Sequence, residues 1–126
     1  MKLIDSSGWL QYFMNGPLIE PFAMHLNKPH EIVTPTVVLY EVYKTLKREL
    51  GEEQALETVS QMEETRLVPL TPRIAYLAAD VSLEHRLPMA DSIVYATAQV
   101  EGAKLVTSDA DFKDLPGVLY LVSPDH

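Results

Sequence analysis

The sequence predicts one α/β domain, a three-layer α/β/α sandwich around a central parallel sheet of four to five strands. Three observations carry this. Short apolar runs alternate with longer amphipathic ones along the chain. Thr-Pro, Gly and Asn-Gly-Pro punctuation falls between them. No repeat or long linker divides the 126 residues, a length that suits one domain with its own core, so residues 1–126 are read as a single unit. Strands separated by helices imply parallel neighbours joined by right-handed crossovers.

The elements follow in order. Residues 2–5 form a first strand centred on Leu3 and Ile4. Residues 6–15 place Trp9, Leu10, Phe13 and Met14 at helical spacing, and Asn15-Gly16-Pro17 ends that helix. A second helical piece over 18–26 precedes Pro29, and residues 31–34 form a second strand. Thr34-Pro35 reads as a helix start, with Thr34 as N-cap and Pro35 at the first helical position. That helix runs to Leu50, turns Leu39, Val42, Tyr43, Leu46 and Leu50 inward, and is stopped by Gly51. An amphipathic helix over 52–64 carries Leu56, Val59 and Met62, and residues 66–70 form a third strand. Thr71-Pro72 opens a helix to His85 with Ile74, Leu77, Ala78 and Val81 inside. Pro88 precedes a helix over 90–101, capped by Gly102. Residues 104–107 form the fourth strand and 118–122 a fifth.

Composition narrows the chemistry. The chain is 47% hydrophobic and 22% charged, in the range of a folded globular protein. It has no cysteine, which excludes a disulfide framework, a thiolate zinc site and a Cys nucleophile. No basic-then-apolar leader and no membrane-length apolar stretch is visible, so a soluble, cytoplasmic protein is expected. The net charge of −8 runs against nucleic-acid binding, which favours a basic face. An acid cluster that holds cations would itself account for part of that charge. Lys44, Lys47 and Arg48 form a basic cluster that reads either as a solvated helix face or as a phosphate-contacting rim.

Several chemistries find no motif. There is no Gly-rich phosphate cradle and no G-x-S-x-G elbow. His25, His30, His85 and His126 lack metal-ligand spacing and read as surface or locally bonded residues. Trp9, Tyr12, Phe13 and Met14 read as core or interface rather than as a base-stacking platform.

The acids are better placed. In open parallel sheets, functional groups collect outside the carboxyl ends of the strands. Asp5 follows the first strand directly, and Asp109 follows the fourth after Thr107 and Ser108. Asp91 begins the helix that leads into the fourth strand, and Glu41 lies in the second turn of the helix after the second. Each has a plain structural alternative. Asp5 and Asp91 suit helix starts, Asp109 and Asp111 suit a turn, and Glu41 suits a solvated pair with Lys44. Their joint placement is what points to a site. Clustered carboxylates repel unless a cation joins them, and an all-oxygen set suits Mg²⁺ or Mn²⁺. Such a centre is equipped to hydrolyse a phosphodiester, with a remaining carboxylate as general base.

Four blocks in order resemble PIN-domain ribonucleases, specifically the VapC-like toxins of type II toxin–antitoxin pairs. They are Leu3-Ile4-Asp5-Ser6-Ser7, the stretch from Thr36 through Glu41-Val42, Ala90-Asp91-Ser92-Ile93-Val94-Tyr95-Ala96-Thr97-Ala98, and Val106-Thr107-Ser108-Asp109-Ala110-Asp111-Phe112 with Leu115-Pro116-Gly117-Val118 after it. Ser92 stands where Ala is frequent. The resemblance implies a PIN-like sandwich and Mg²⁺- or Mn²⁺-dependent endonucleolytic cleavage of RNA. It implies Asp5, Asp91 and Asp109 as metal ligands, Glu41 as the fourth catalytic acid, and Thr107 and Ser6 as supporting hydroxyls. Asp111 would assist or replace Asp109. It further implies a homodimer restrained by a cognate antitoxin. The competing reading is a non-catalytic protein-binding module of the same fold, with the acids acting only as caps. A phosphoacceptor domain fits less well, because Asp5 is followed by Ser6-Ser7 rather than by a second acid.

Overall fold

The computed structural model describes residues 1–122; His126, one of the four histidines read above, lies outside the described residues. Five short strands make the sheet: β1 (Lys2–Ile4), β2 (Ile32–Pro35), β3 (Arg66–Val68), β4 (Lys104–Thr107) and β5 (Val118–Tyr120). All pairings are parallel, in the order β3-β2-β1-β4-β5. The chain lays down β1, β2 and β3 in one direction, then returns to place β4 on the other side of β1. The seam between β1 and β4 is therefore where the winding reverses, and crevices form outside the carboxyl ends at such a seam. In register, Leu3 faces Leu105 and Ile4 faces Val106 across it.

Among the described residues six α-helices flank the sheet: α1 (Ser6–Phe13), α2 (Ile19–Ala23), α3 (Thr36–Leu50), α4 (Glu52–Val59), α5 (Pro72–His85) and α6 (Met89–Glu101). They pack in consecutive pairs, α1 on α2, α3 on α4 and α5 on α6. None of them is long and apolar enough to cross a membrane. In α3 the buried residues are Val38, Val42 and Leu46, one per turn along a single stripe. Burying each contributes about 1.5–3 kcal/mol. α6 is buried continuously from Ser92 to Ala98, so its first turn, which carries Asp91, is fixed against the core.

Several sequence expectations shift. The expected helix start at Thr34-Pro35 belongs to β2 instead. Pro35 is extended (φ −60°, ψ 141°) and aligns with Val68 of β3. The Thr34 hydroxyl is buried against Thr65 Oγ1 at 2.6 Å, and Thr65 in turn donates to the Met62 carbonyl at 2.6 Å. Strand pairing thus claims both residues, and α3 begins at Thr36 with no side-chain cap. The same dipeptide at Thr71-Pro72 does start a helix, with Thr71 Oγ1 accepting from the Ile74 amide at 3.3 Å. Leu50, Leu56 and Met14, expected inside, are exposed. Ala55, Val59 and Met62 carry the buried stripe of α4 and the 3-10 turn Met62–Glu64 after it, while Leu56 lines an open apolar groove with Leu39, Tyr40 and Tyr43. Helix and strand ends otherwise move by a few residues, as frayed ends do.

Candidate functional site

Asp5 is the residue immediately after β1 and is 3% exposed. Both of its oxygens are occupied. Oδ1 accepts from Ser7 Oγ at 2.7 Å and from the Gly8 amide at 3.2 Å, which makes Asp5 the N-cap of α1. Oδ2 accepts from Thr107 Oγ1, at the end of β4, at 2.7 Å. The two hydroxyls also accept from β4's continuation: Ser7 Oγ from the Ser108 amide at 3.2 Å, and Thr107 Oγ1 from the Asp109 amide at 2.9 Å. The capping reading of Asp5 is therefore correct, and the same carboxylate also joins the two strand ends. Burial pushes its pKa up to about 6, against the three hydrogen bonds that favour the ionised form, and nearby Asp109 adds to the rise.

On the other side of the seam the acids are open. Asp109 caps the 3-10 turn Ala110–Phe112, its Oδ1 accepting from the Asp111 amide at 2.9 Å. That turn swings Asp111 back toward the start of α6. Carboxylate oxygens of Asp91, Asp109 and Asp111 all lie within 4.8 Å of one another. Asp91 does not cap α6, whose N-cap is Pro88 without a side-chain bond. Its pKa is pushed up to about 8, first by burial, then by its hydrogen bond with Asp111 and by the charges of Asp109, Asp111 and Glu41. Glu41 is half-buried and held above the ordinary range by burial and by Asp109, with a Ser6 hydrogen bond opposing. The expected pair between Glu41 and Lys44 does not form; Lys44 Nζ instead reaches the Tyr40 hydroxyl at 3.5 Å.

The structure thus places Asp109 within electrostatic reach of Asp5, Glu41 and Asp91, and brings Asp111 beside Asp91 and Asp109; Asp5 and Glu41 lie outside that close group of three. Of the two hydroxyls named from the sequence, Thr107 donates to Asp5 and Ser6 lies against Glu41. Ser7 was not singled out in the sequence. The one local signal for it was its position two residues after a capping Asp, where an Asx-type turn places a hydroxyl near the carboxylate. Lys47 and Arg48 pair with Glu52 and Glu49, which leaves that face a salt-bridged solvent surface here. His25 bonds Lys2 Nζ at 2.8 Å and His85 lies 3.8 Å from Glu84, both away from the acids.

The donor set fits a hard cation. It is all carboxylate oxygen, and among the described residues no Lys, Arg or His forms an ion pair with any of its members. Asp91, with its pKa pushed up to about 8, holds a proton at neutral pH that a divalent ion would displace.

These features define an α/β/α domain with a carboxylate cluster at the winding reversal of a parallel sheet. The family model for the PIN domain matches residues 2–118, and the chain belongs to that family. Solved structures of the same fold include a toxin–antitoxin complex from Klebsiella pneumoniae, with a TM-score of 0.81 and 22% identity over 94% of this chain and 96% of that one. A Mycobacterium tuberculosis toxin, VapC20, described as cleaving the sarcin–ricin loop, has a TM-score of 0.71 and 21% identity over 89% and 92%. A DNA-bound VapBC complex from Salmonella typhimurium has a TM-score of 0.74 and 16% identity over 96% and 97%. No curated protein matches the chain in sequence.

Proposed function

We propose that this protein is a Mg²⁺- or Mn²⁺-dependent endoribonuclease that acts as the toxin of a toxin–antitoxin pair. The observation that carries the reading is the set of Asp91, Asp109 and Asp111 carboxylates within 4.8 Å, with no cationic side chain among the described residues paired to them, at the carboxyl end of the sheet. Membership in the PIN family and the likeness to toxin–antitoxin structures support it. Asp5, Asp91 and Asp109 are the proposed ligands, with Asp111 as a further oxygen donor. Glu41, with its pKa raised, accepts the proton of the attacking water. When bound, the ion would acidify that water and stabilise charge on the phosphoryl oxygens. The chain's own contribution is to hold the acids on four separate elements, the start of α1, α3, α6 and the 3-10 turn after β4. A homodimer and a cognate antitoxin covering the acidic cluster complete the proposal, in a cytoplasmic setting. VapC20's sarcin–ricin loop makes structured ribosomal RNA a sensible first substrate.

The test is cleavage of a panel of structured RNAs by partner-free protein, with Mg²⁺ or Mn²⁺ against EDTA and with wild type against Asp91→Asn. Discrete products that need both the metal and Asp91 are expected. Metal binding by calorimetry that is absent, together with no cleavage, would favour the non-catalytic binding module.

A further inference from the structure

We infer that Ser7 is a positioning residue that sets the distance between Asp5 and Asp109, an inference that rests on the proposed metal-dependent reading of this site. Its Oγ does two things at once. It donates to Asp5 Oδ1 at 2.7 Å and accepts from the Ser108 amide at 3.2 Å. Thr107 Oγ1 does the mirror operation, donating to Asp5 Oδ2 at 2.7 Å and accepting from the Asp109 amide at 2.9 Å. Two hydroxyls from opposite sides of the seam therefore tie both oxygens of one buried carboxylate to two consecutive amides.

The pairing has a geometric consequence. β1 and β4 end at Ile4 and Thr107, so ordinary strand hydrogen bonding stops at the seam just before the acids begin. The Asp5 amide still reaches the Val106 carbonyl, at 3.4 Å. Beyond that point, among the described residues, the hydrogen bonds that join the Ser108-Asp109 turn to the β1 side run through these hydroxyls. With Thr107 alone, the Asp109 amide is held at one point and the turn can pivot about it. With Ser7 as well, two adjacent amides are held and the pivot is removed. A hydroxyl suits this role because it donates and accepts through one atom. Ser6, one residue earlier, lies on another side of α1 and bonds Glu41.

Ser7→Ala removes the second tie while leaving Thr107 and every carboxylate in place. Ser7→Thr restores donor and acceptor. The full-length apo protein is titrated with Mn²⁺ alone by calorimetry, and its amide exchange is followed by NMR. The expected result for Ser7→Ala is faster exchange at Ser108 and Mn²⁺ affinity weakened roughly 10-fold, the range for residues that orient metal ligands. RNA cleavage should lose kcat by a similar factor with KM unchanged, and Ser7→Thr should recover most of each loss. Should the alanine variant fail to fold, Ser7→Cys, nearly isosteric but a weak donor and acceptor, carries the same expectations. Unchanged Mn²⁺ affinity in a folded Ser7→Ala or Ser7→Cys protein overturns the inference, as does failure of Ser7→Thr to improve on alanine. Wild type that binds Mn²⁺ but cleaves no RNA overturns the ribonuclease reading while the Mn²⁺ comparison still decides Ser7. Wild type that binds no Mn²⁺ overturns both.

Discussion

The two sides of the β1–β4 seam handle negative charge in opposite ways. Asp5 is buried, accepts three hydrogen bonds and has no lack of donors. Asp91, Asp109 and Asp111 are partly or fully exposed, and Asp91 is pressed by its neighbours' charge as well as by burial. One side is built to be satisfied as it stands. The other is satisfied only when a proton or a cation arrives. An acid of the first kind ties strand ends together through its hydrogen bonds even though its burial is costly, whereas an acid of the second kind costs stability with few bonds in return. Substitutions should therefore separate folding from activity across the seam.

The largest expected effect is on the open side. Asp91→Asn should lower RNA cleavage about a thousandfold or more, since ligand-mediated charge stabilisation is worth several kcal/mol and each ~1.4 kcal/mol is tenfold. The same change should leave thermal stability of the apo protein equal near neutral pH and higher at pH 8 and above, where it removes one of several repelling carboxylates. Single-turnover cleavage and thermal unfolding on the same preparation check both halves. A large drop in melting temperature would erase the contrast.

Next comes the closed side. Asp5→Ala would strand Ser7 Oγ, Thr107 Oγ1 and the Gly8 amide, and would remove the cap of α1. Unsatisfied buried groups cost about 1–3 kcal/mol each when water cannot reach them, and loss of a cap costs about 1 kcal/mol. A destabilisation of about 3 kcal/mol in urea unfolding is expected, together with loss of cleavage. Stability within about 0.5 kcal/mol of wild type, the usual span for a surface substitution, would mean that the hydroxyls find other partners.

The contrast also explains what could be read from the chain beforehand. Asp5 and Asp109 were legible because they sit directly after apolar strands, and the strand-end rule is topological. Glu41 and Asp91 were legible through their placement after or before strands, although each alone looked like an ordinary helix acid. Asp111 was harder to place. Its approach to Asp91 depends on the 3-10 turn that Asp109 caps, and nothing in Ser-Asp-Ala-Asp fixes which way that turn bends. The division of labour between Ser6 and Ser7 depends on the helical phase of α1, which is set by packing. Gly8 shows that packing: a Cβ there would lie 2.5 Å from the Phe22 ring and 2.6 Å from Ile4 Cγ2. Thr34-Pro35 and Thr71-Pro72 carry identical local signals and end in different structures, because pairing with β3 reaches only the first.

Gly8 supplies the third and smaller test. Its amide caps onto Asp5 while its bare Cα lets α1 lie against Ile4 and Phe22. Gly8→Ala gains helix propensity but overpacks this contact, and overpacking costs about 1–3 kcal/mol. A net destabilisation of about 1 kcal/mol is expected, with cleavage reduced only to the extent that α1 shifts Asp5 and Ser7. If the variant is more stable than wild type, the helix has room to move and the closed side is less tightly set than its hydrogen bonds suggest.

The smallest effect is in the pH dependence of stability, which has the same sign on both sides; its window distinguishes them. Asp91 binds its proton more tightly in the folded protein, at about 8 against an ordinary 3.8, and Asp5 does so at about 6. Between the unfolded and folded values the native state carries more protons than the unfolded chain, so stability falls as pH rises. The apo protein should thus lose stability progressively from about pH 4 to pH 8, with Asp5 contributing in the lower half of that window and Asp91 throughout it. Asp91→Asn should remove the loss between pH 6 and 8 and reduce the part below pH 6 to the share of Asp5. Mg²⁺ should reverse the wild-type loss at pH 8, where the carboxylates are free of protons, and have little effect at pH 5, where protons compete. Unfolding midpoints across that range, with and without Mg²⁺, decide the matter. A wild-type profile that stays flat above pH 6 would mean that the open side is not under strain and that its acids have no need of a cation.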